Sequence, residues 1–468
     1  MSSTSAAATP TRRDVITDWN PEDEKSWDHR QAWLTLWVTT FALLLGFMVW
    51  YMVSVIAPML QNSAVVDKSH AFWLASMPGL AGGLLRLVWM FFPPILGTKR
   101  MVAWSTVALL APMIGWFVLL VQPMDTLKSS FGLMMALAFL TGLGGGIFSG
   151  YMPSTSYFFP KAKQGVALGI QAGIGNFGVS VVQLLTPILV GIGIIGAGKT
   201  IPKAKTDGAG LTYLQTPSLV IAVLLVIAAV LAFTLLKSVP VKANFRQQID
   251  IFSNKHTWLM TLIYLLTFGC FSGLAGTFAL MLTQMVPKVP TIAWLGGTTI
   301  AFLGAFVGSL SRVLWGPLCD RFGGAIWTLV ASVGIGVSAV IVIIALSRTT
   351  LLVDAPATQV AKCQVPLPLF VTGMLALFFF AGVGNAATFK QMPMIFPPRQ
   401  AGGVIGWTAA IAAFGPFIFS FAMNKLSGTS GNFGTKIIPV FVIVVVLAVI
   451  CAVIDWWFYA RPNAEAKC

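Results

Sequence analysis

Apolar runs of about twenty residues alternate with short polar stretches along nearly the whole chain. A helix needs roughly 20 apolar residues to cross a hydrocarbon core about 30 Å thick. We therefore predict twelve membrane-spanning helices, with approximate bounds 33–58, 72–96, 101–121, 131–158, 165–196, 217–236, 258–284, 292–318, 325–347, 367–392, 402–423 and 437–459. The fold class that this pattern indicates is an all-α integral membrane protein. Its predicted parts are a cytoplasmic N-terminal segment (1–32), an N-terminal six-helix half (33–236), a cytoplasmic linker (237–257), a C-terminal six-helix half (258–459) and a cytoplasmic tail (460–468).

Composition agrees with a protein that sits in a bilayer. Of the 468 residues, 57% are hydrophobic and 9% are charged, whereas soluble domains contain about 25% charged residues. The net charge of +15 comes from basic residues in short loops, which indicates membrane topology and attraction to the lipid bilayer, with no nucleic acid as partner. Lys and Arg are more frequent on the side of the N-terminus, so we expect both termini in the cytoplasm and the chain in the cell membrane. The five cysteines lack metal-ligand spacing, and we predict no metal and no cofactor.

The two halves of the sequence repeat each other. The segment Gly82–Trp89 in the second span matches Gly308–Trp315 in the eighth span, 226 positions later. A second match has an offset of 237 positions and pairs Phe159 with Phe396, Pro160 with Pro397, Gly165 with Gly402, Gly169 with Gly406, Phe177 with Phe414 and Gly178 with Gly415. Two matches in the same order predict two pseudo-symmetric halves that are related by an axis normal to the membrane.

Arg86 and Arg312 hold equivalent positions in these halves, and each precedes a loop glycine, Gly97 or Gly323, by eleven residues. Eleven helical residues rise roughly 16 Å, which places both guanidinium groups near the middle of the bilayer. A charge there costs at least about 2.5 kcal/mol and therefore needs a cavity or a partner. The fourteen acidic residues all lie outside the predicted spans or at their ends, so the expected partner is an anion. The alternative is that the arginines brace the fold through hydrogen bonds to backbone carbonyls.

The guanidinium group presents paired N–H donors in one plane, which match a planar oxyanion. Nitrate, nitrite, formate and bicarbonate all have this shape, whereas phosphate is tetrahedral. Near the same depth, Asn176 can donate to an anion or bond to a neighbouring helix, and the aromatic residues Phe47, Phe148, Tyr264 and Phe268 can flank an anion or simply pack. The glycines Gly169, Gly173 and Gly406 belong to four-residue repeats that favour close helix contact and also let an ion pass close to the backbone.

The sequence offers little support for a function other than transport. The three histidines lie outside or at the ends of the spans, and the sequence contains no phosphate-binding loop, catalytic triad or metal cluster. We therefore expect neither an enzyme nor an ATP-driven pump. Proton coupling usually requires a titratable group at depth, and Tyr264 is the only candidate.

Two motifs resemble those of a known family. The loop Gly316–Gly324 resembles the loop motif of the major facilitator superfamily, and Phe158–Gly165 with Gly173–Gly178 resembles the nitrate signature of its NarK-type nitrate/nitrite porters. The resemblance extends over nearly the whole chain and implies the major facilitator fold. It also implies that Arg86 and Arg312 clamp the nitrogen oxyanion, with Phe148, Tyr264, Asn176 and Phe47 around it and with Phe268 and Phe389 as outer lining.

We therefore expect a monomeric secondary carrier that exchanges nitrate and nitrite by alternating access. Without an anion the two arginines repel each other and hinder occlusion, which would couple the import of one ion to the export of the other. The alternatives are a nitrate/proton symporter, an anion channel and a receptor that binds without transport.

Overall fold

The computed structural model describes residues 14–201, 210–240, 249–286, 291–292, 298–351, 363–428 and 431–468. Within these residues, twelve helices are long and apolar enough to cross a membrane. We number them α1 to α12: His29–Asn62, Lys68–Trp89, Phe92–Leu120, Phe131–Ser156, Lys161–Leu189, Thr216–Leu235, Lys255–Met285, Phe302–Phe322, Gly324–Ser347, Leu367–Ile395, Gln400–Ser427 and Phe433–Ala460. The prediction of an all-α membrane protein with twelve spans is confirmed.

Several of these helices contain local breaks. Helix α4 consists of Phe131–Thr141, Leu143–Gly146 and Phe148–Ser156. Helix α11 is divided into Pro398–Ala412, which begins two residues before the span, and Gly415–Ser427. Helix α7 contains a π-helical turn, Leu265–Gly269. Short helices also occur outside the spans, at Met124–Ser129 and, in 3₁₀ form, at Asp250–Ser253.

Three small antiparallel hairpins connect helices at the end of the bundle opposite to the termini. They pair β1 (Lys199–Ile201) with β2 (Gly210–Thr212), β3 (Thr291–Ile292) with β4 (Thr298–Thr299), and β5 (Thr350–Leu351) with β6 (Cys363–Gln364). The second hairpin corrects the prediction for the eighth span. That helix begins at Phe302 rather than near residue 292, because Thr291–Ile292 and Thr298–Thr299 before it form the paired strands of this hairpin.

Polar side chains begin several helices. The Asp28 carboxylate accepts a hydrogen bond from the Gln31 backbone N–H, and Asp67 accepts one from His70. These caps satisfy N–H groups that have no partner within the helix.

Positive backbone angles at two equivalent glycines support the internal repeat. Gly97, where the chain turns into the main part of α3, has φ 72° and ψ 161°. Gly323, at the turn between α8 and α9, has φ 89° and ψ 151°. Residues with a Cβ rarely adopt such a φ, so both halves need glycine at the same turn.

Burial separates the central helices from the peripheral ones. In both α1 and α7, 89% of the most apolar stretch is buried, against 39% in α6 and 33% in α12. Exposed aliphatic side chains on α12, such as Ile443 and Val453, therefore suit contact with lipid. The candidate site lies on the central helices and their neighbours.

One expectation about charge is wrong. Asp455, at the end of the twelfth helix, is fully buried, although the sequence suggested that no acidic residue is. Its Oδ1 atom accepts a hydrogen bond from Gln391 Nε2 at 2.8 Å, and Gln391 Oε1 accepts one from Thr328. Packing of α9 and α10 against α12 covers this carboxylate, which a hydropathy pattern does not reveal.

Candidate anion-binding site

Arg86 reaches the centre of the bundle from α2 and is completely buried. Its Nε donates to the Gly145 carbonyl at 2.8 Å, and its Nη1 donates to the Ala409 carbonyl of α11 at 2.7 Å. Only Nη2 has no hydrogen-bond partner. Arg86 therefore braces the fold, as the alternative interpretation proposed, and still keeps one free nitrogen.

Arg312 lies in the equivalent place on α8, and 3% of its surface is exposed. Both of its terminal nitrogens, Nη1 and Nη2, are buried without a hydrogen-bond partner. The two guanidinium groups are close enough to interact electrostatically. No carboxylate in the described part of the chain pairs with either of them.

Aromatic rings enclose the two arginines. Arg86 Cζ lies 4.6 Å from the ring centre of Phe148, 5.1 Å from that of Phe268 and 5.2 Å from that of Trp50. Arg312 Cζ lies 4.7 Å from the ring centre of Phe389. Ring faces stabilise a desolvated cation by roughly 2 kcal/mol, which offsets part of the cost of burial.

Contacts between these rings join the two halves into one site. The ring centre of Phe148 lies 6.0 Å from that of Phe47, 6.4 Å from that of Phe268 and 6.2 Å from that of Phe389. Tyr264 stacks on Phe268 with ring centres 5.4 Å apart and nearly parallel planes. The four predicted aromatic residues, and Phe389 with them, thus occupy one cluster.

The π-helical turn of α7 begins directly after Tyr264 and contains Phe268, and it therefore shapes this stacked pair. Such turns are frequent at functional sites. The Tyr264 hydroxyl is near both Arg312 and Arg86, but it makes no hydrogen bond of good geometry. This hydroxyl can therefore donate a hydrogen bond to a ligand.

Two buried asparagines have amide groups without partners. Asn176 on α5 lies between Gly173, which faces Val313 of α8, and Ser180, which donates to the Phe302 carbonyl. Asn176 therefore lies on the face of α5 that packs against α8. Asn385 on α10 is equally buried and unpartnered, and our sequence reasoning did not single it out.

The predicted glycines differ in their surroundings. A Cβ on Gly173 would collide with the Val313 side chain, and one on Gly406 would lie 3.3 Å from Met90 Cβ. Gly169 and Gly402 would meet no atom within 4 Å. In this conformation Gly169 does not make the close helix contact that the sequence suggested, and its role at the binding site stays a prediction.

Several contacts join the halves on the side of the site that faces away from the termini. Tyr51 of α1 donates to the Ser272 carbonyl of α7 at 2.9 Å, and Gln183 of α5 donates to the Ala275 carbonyl at 2.8 Å. Gly79 of α2 packs tightly against α11 at residues 416–417. On the other side of the site, Gly406 of α11 lies against Met90 of α2, whereas Gly169 and Gly402 have open surroundings.

Comparisons with known proteins agree with this architecture. The sequence profile of the Major Facilitator Superfamily matches residues 39–358. A probable nitrate/nitrite antiporter NarK2 of Thermus thermophilus is 48% identical over 97% of this chain and 98% of the relative. The nitrate/nitrite transporter NarU of Escherichia coli is 28% identical over 97% and 98%, and the nitrite extrusion protein of Bacillus subtilis is 24% identical over 86% and 89%.

Proposed function

The chain belongs to the Major Facilitator Superfamily and, within it, to the nitrate/nitrite transporters, and from this membership we propose that it exchanges nitrate for nitrite by alternating access. It moves these anions without altering them and is therefore a carrier, not an enzyme. It acts as a monomer in the cell membrane, with both termini in the cytoplasm.

One observation carries the proposal: three guanidinium nitrogens are buried among aromatic rings without a partner. They are Arg86 Nη2, Arg312 Nη1 and Arg312 Nη2. A buried donor left unsatisfied costs about 1–3 kcal/mol, and more when it is charged. A small planar oxyanion would satisfy all three nitrogens and neutralise part of the charge.

The partners of each arginine suggest an asymmetric clamp. Arg312 offers two adjacent nitrogens and can bind two oxygens of one anion side by side. Arg86 offers one nitrogen, because Gly145 and Ala409 occupy the others. The rings of Phe148, Phe268 and Phe389 beside the two arginines would exclude tetrahedral anions and favour flat ones.

The same charges explain why exchange is favoured over net transport. At a separation of about 8 Å, two such cations would repel each other by roughly 2 kcal/mol at an effective dielectric constant near 20. If this repulsion falls on the transition state of the empty carrier, it slows the empty return by about thirtyfold. A bound anion removes the repulsion, so the halves reorient mainly when loaded.

Counterflow in proteoliposomes tests the proposal. Uptake of labelled nitrate into vesicles loaded with nitrite should exceed uptake into empty vesicles by more than about tenfold. Vesicles without protein and the double variant Arg86→Ala/Arg312→Ala serve as controls. Equal uptake into loaded and empty vesicles would contradict exchange, and no uptake in either would contradict nitrate as substrate.

A nitrate/proton symporter is the second candidate, because Asp455 is a buried acid whose Oδ2 atom has no partner. Its hydrogen-bond partner Gln391 contacts Thr328 rather than the aromatic cluster. The carboxylate therefore has no direct link to the proposed anion site, and exchange remains the better proposal.

A further inference from the structure

We propose that Asn385 donates a hydrogen bond to the bound anion and sets the preference for nitrate over nitrite. The inference rests on the proposed function and deepens it by naming a selectivity residue. It comes from three features of Asn385: its burial without partners, its place in the internal repeat, and the number of free donors beside it.

The amide of Asn385 has no partner inside the protein. The residue has no exposed surface, and neither its Nδ2 nor its Oδ1 makes a hydrogen bond. One helical turn further along α10 lies Phe389, whose ring centre is 4.7 Å from Arg312 Cζ. Residues four apart share a face of a helix, so Asn385 and Phe389 face the same side.

Packing of α10 against α8 copies the packing of α4 against α2. In the first half, glycines of α4 approach α2 at Ala81, Gly82 and Leu85. In the second half, Gly382 approaches α8 at Gly308 and Ser311, which are the equivalents of Gly82 and Leu85 at the 226-residue offset. The two helix pairs therefore present equivalent faces to their arginines.

The 237-residue offset aligns Asn385 with Phe148. The ring centre of Phe148 lies 4.6 Å from Arg86 Cζ. In the second half the ring beside Arg312 is Phe389, and Asn385 lies one turn before it on the same face of α10. The second half thus carries a buried amide next to the aromatic face beside its arginine.

The count of donors indicates which anion the amide recognises. Three free guanidinium nitrogens already cover both oxygens of nitrite. Nitrate has a third oxygen, and the Asn385 amide gives that oxygen a donor of its own. A site that hydrogen-bonds a given group rejects an analogue that lacks it. Loss of the amide should therefore weaken nitrate binding much more than nitrite binding.

The test measures half-saturation constants for external nitrate and nitrite during exchange in proteoliposomes. Asn385→Leu keeps the branched shape of the side chain and removes the donor, and should raise the constant for nitrate about tenfold while nitrite changes less than about twofold. Asn385→Ser keeps a shorter donor and should give an intermediate ratio. Ser311→Ala is the matched control, because it removes a hydrogen bond from α8 to the Phe379 carbonyl of α10 and should leave the ratio of the two constants unchanged.

The outcomes separate this inference from the proposed function. A parent protein that exchanges neither ion refutes the proposed function. A parent that exchanges both, with an unchanged nitrate-to-nitrite ratio in Asn385→Leu, refutes the role of Asn385 alone. If Asn385→Leu does not reach the membrane, the ratio in Asn385→Ser decides in the same way.

Discussion

Arg86 and Arg312 hold the same place in the two halves of the chain, but they have different hydrogen-bond partners. Gly145 and Ala409 occupy two nitrogens of Arg86, whereas both terminal nitrogens of Arg312 remain without a partner. One arginine therefore combines a structural role with the proposed binding role. The other has its end-on fork available for a ligand.

Lysine substitutions should separate these two roles. Arg86→Lys and Arg312→Lys each keep the charge, but an ammonium cannot reproduce the planar fork, so both should reduce nitrate exchange to below about a tenth of the parent. Arg86→Lys should also lower the thermal unfolding midpoint in detergent, because it loses hydrogen bonds to two carbonyls. Arg312→Lys should leave that midpoint nearly unchanged.

Exchange rates and unfolding midpoints measured on the same preparations check this prediction. Exchange within about threefold of the parent for both variants would contradict the clamp. A larger loss of midpoint in Arg312→Lys than in Arg86→Lys would contradict the division of roles.

At the scale of helices, the sequence predicted the number of spans and their repeat, because apolar length and glycine turns are local properties. The turns at Gly97 and Gly323 follow directly from equivalent sequence. The π-helical turn at Leu265–Gly269 and the late start of α8 do not, because both depend on packing rather than on composition.

For the candidate site, too, the sequence predicted what depends on local properties and missed what depends on packing. Mid-span depth was enough to select the arginines and four residues of the aromatic cluster, whereas Phe389 came only from the family resemblance. It could not select Asn385, because the unpartnered state of its amide depends on what neighbouring helices provide. Burial of Asp455 was missed for the same reason.

Glycines of α5 offer a test at this scale. Gly173→Leu should stop exchange, because its side chain would collide with Val313 of α8. Gly169→Leu has room in this conformation and should fold normally, but it should slow exchange if the halves close over this region during the cycle. Gly132→Leu is the matched control. Gly132 also has open surroundings, and it lies at the start of α4, on the side of the bundle away from the termini.

Labelled-nitrate exchange, normalised to the amount of purified protein in the vesicles, measures all three variants. The expected order of rates is Gly132→Leu, then Gly169→Leu, then Gly173→Leu. Full activity of Gly173→Leu would show that α5 and α8 need not stay in contact. Equal activity of Gly169→Leu and Gly132→Leu would show that Gly169 remains in open space throughout the cycle.

At the scale of the molecule, the N-terminal segment is attached to its own half. The Ile16 N–H donates to the Ser238 carbonyl at 2.9 Å, and the Trp27 indole donates to the Phe158 carbonyl at 2.9 Å. The segment thus ties the end of α6 to the loop between α4 and α5. It contributes to one half and leaves the relative movement of the halves free.

The C-terminal tail is attached to the other half of the chain in the same way. Lys255 Nζ lies 2.6 Å from Glu465 Oε1, and the Ala466 N–H donates to the Phe458 carbonyl at 3.1 Å. Hydrogen bonds between the halves near the site run to backbone carbonyls, as from Arg86 to Ala409 and from Gln183 to Ala275. The two terminal segments are each tied within one half, which suits the proposed rocking motion about a central site.

The last prediction concerns protons. Exchange of nitrate for nitrite moves one negative charge each way, so it requires neither proton movement nor a titratable group in the site. Asp455 is the one buried acid in the described part of the spans, and it is hydrogen-bonded to Gln391 at the contact of α10 and α12. Asp455→Asn keeps the shape of the side chain and should leave exchange within about twofold of the parent.

A pH electrode outside nitrite-loaded vesicles should record no change when nitrate enters. Alkalinisation equal to the nitrate taken up, together with its loss in Asp455→Asn, would instead identify a symporter in which this carboxylate carries the proton.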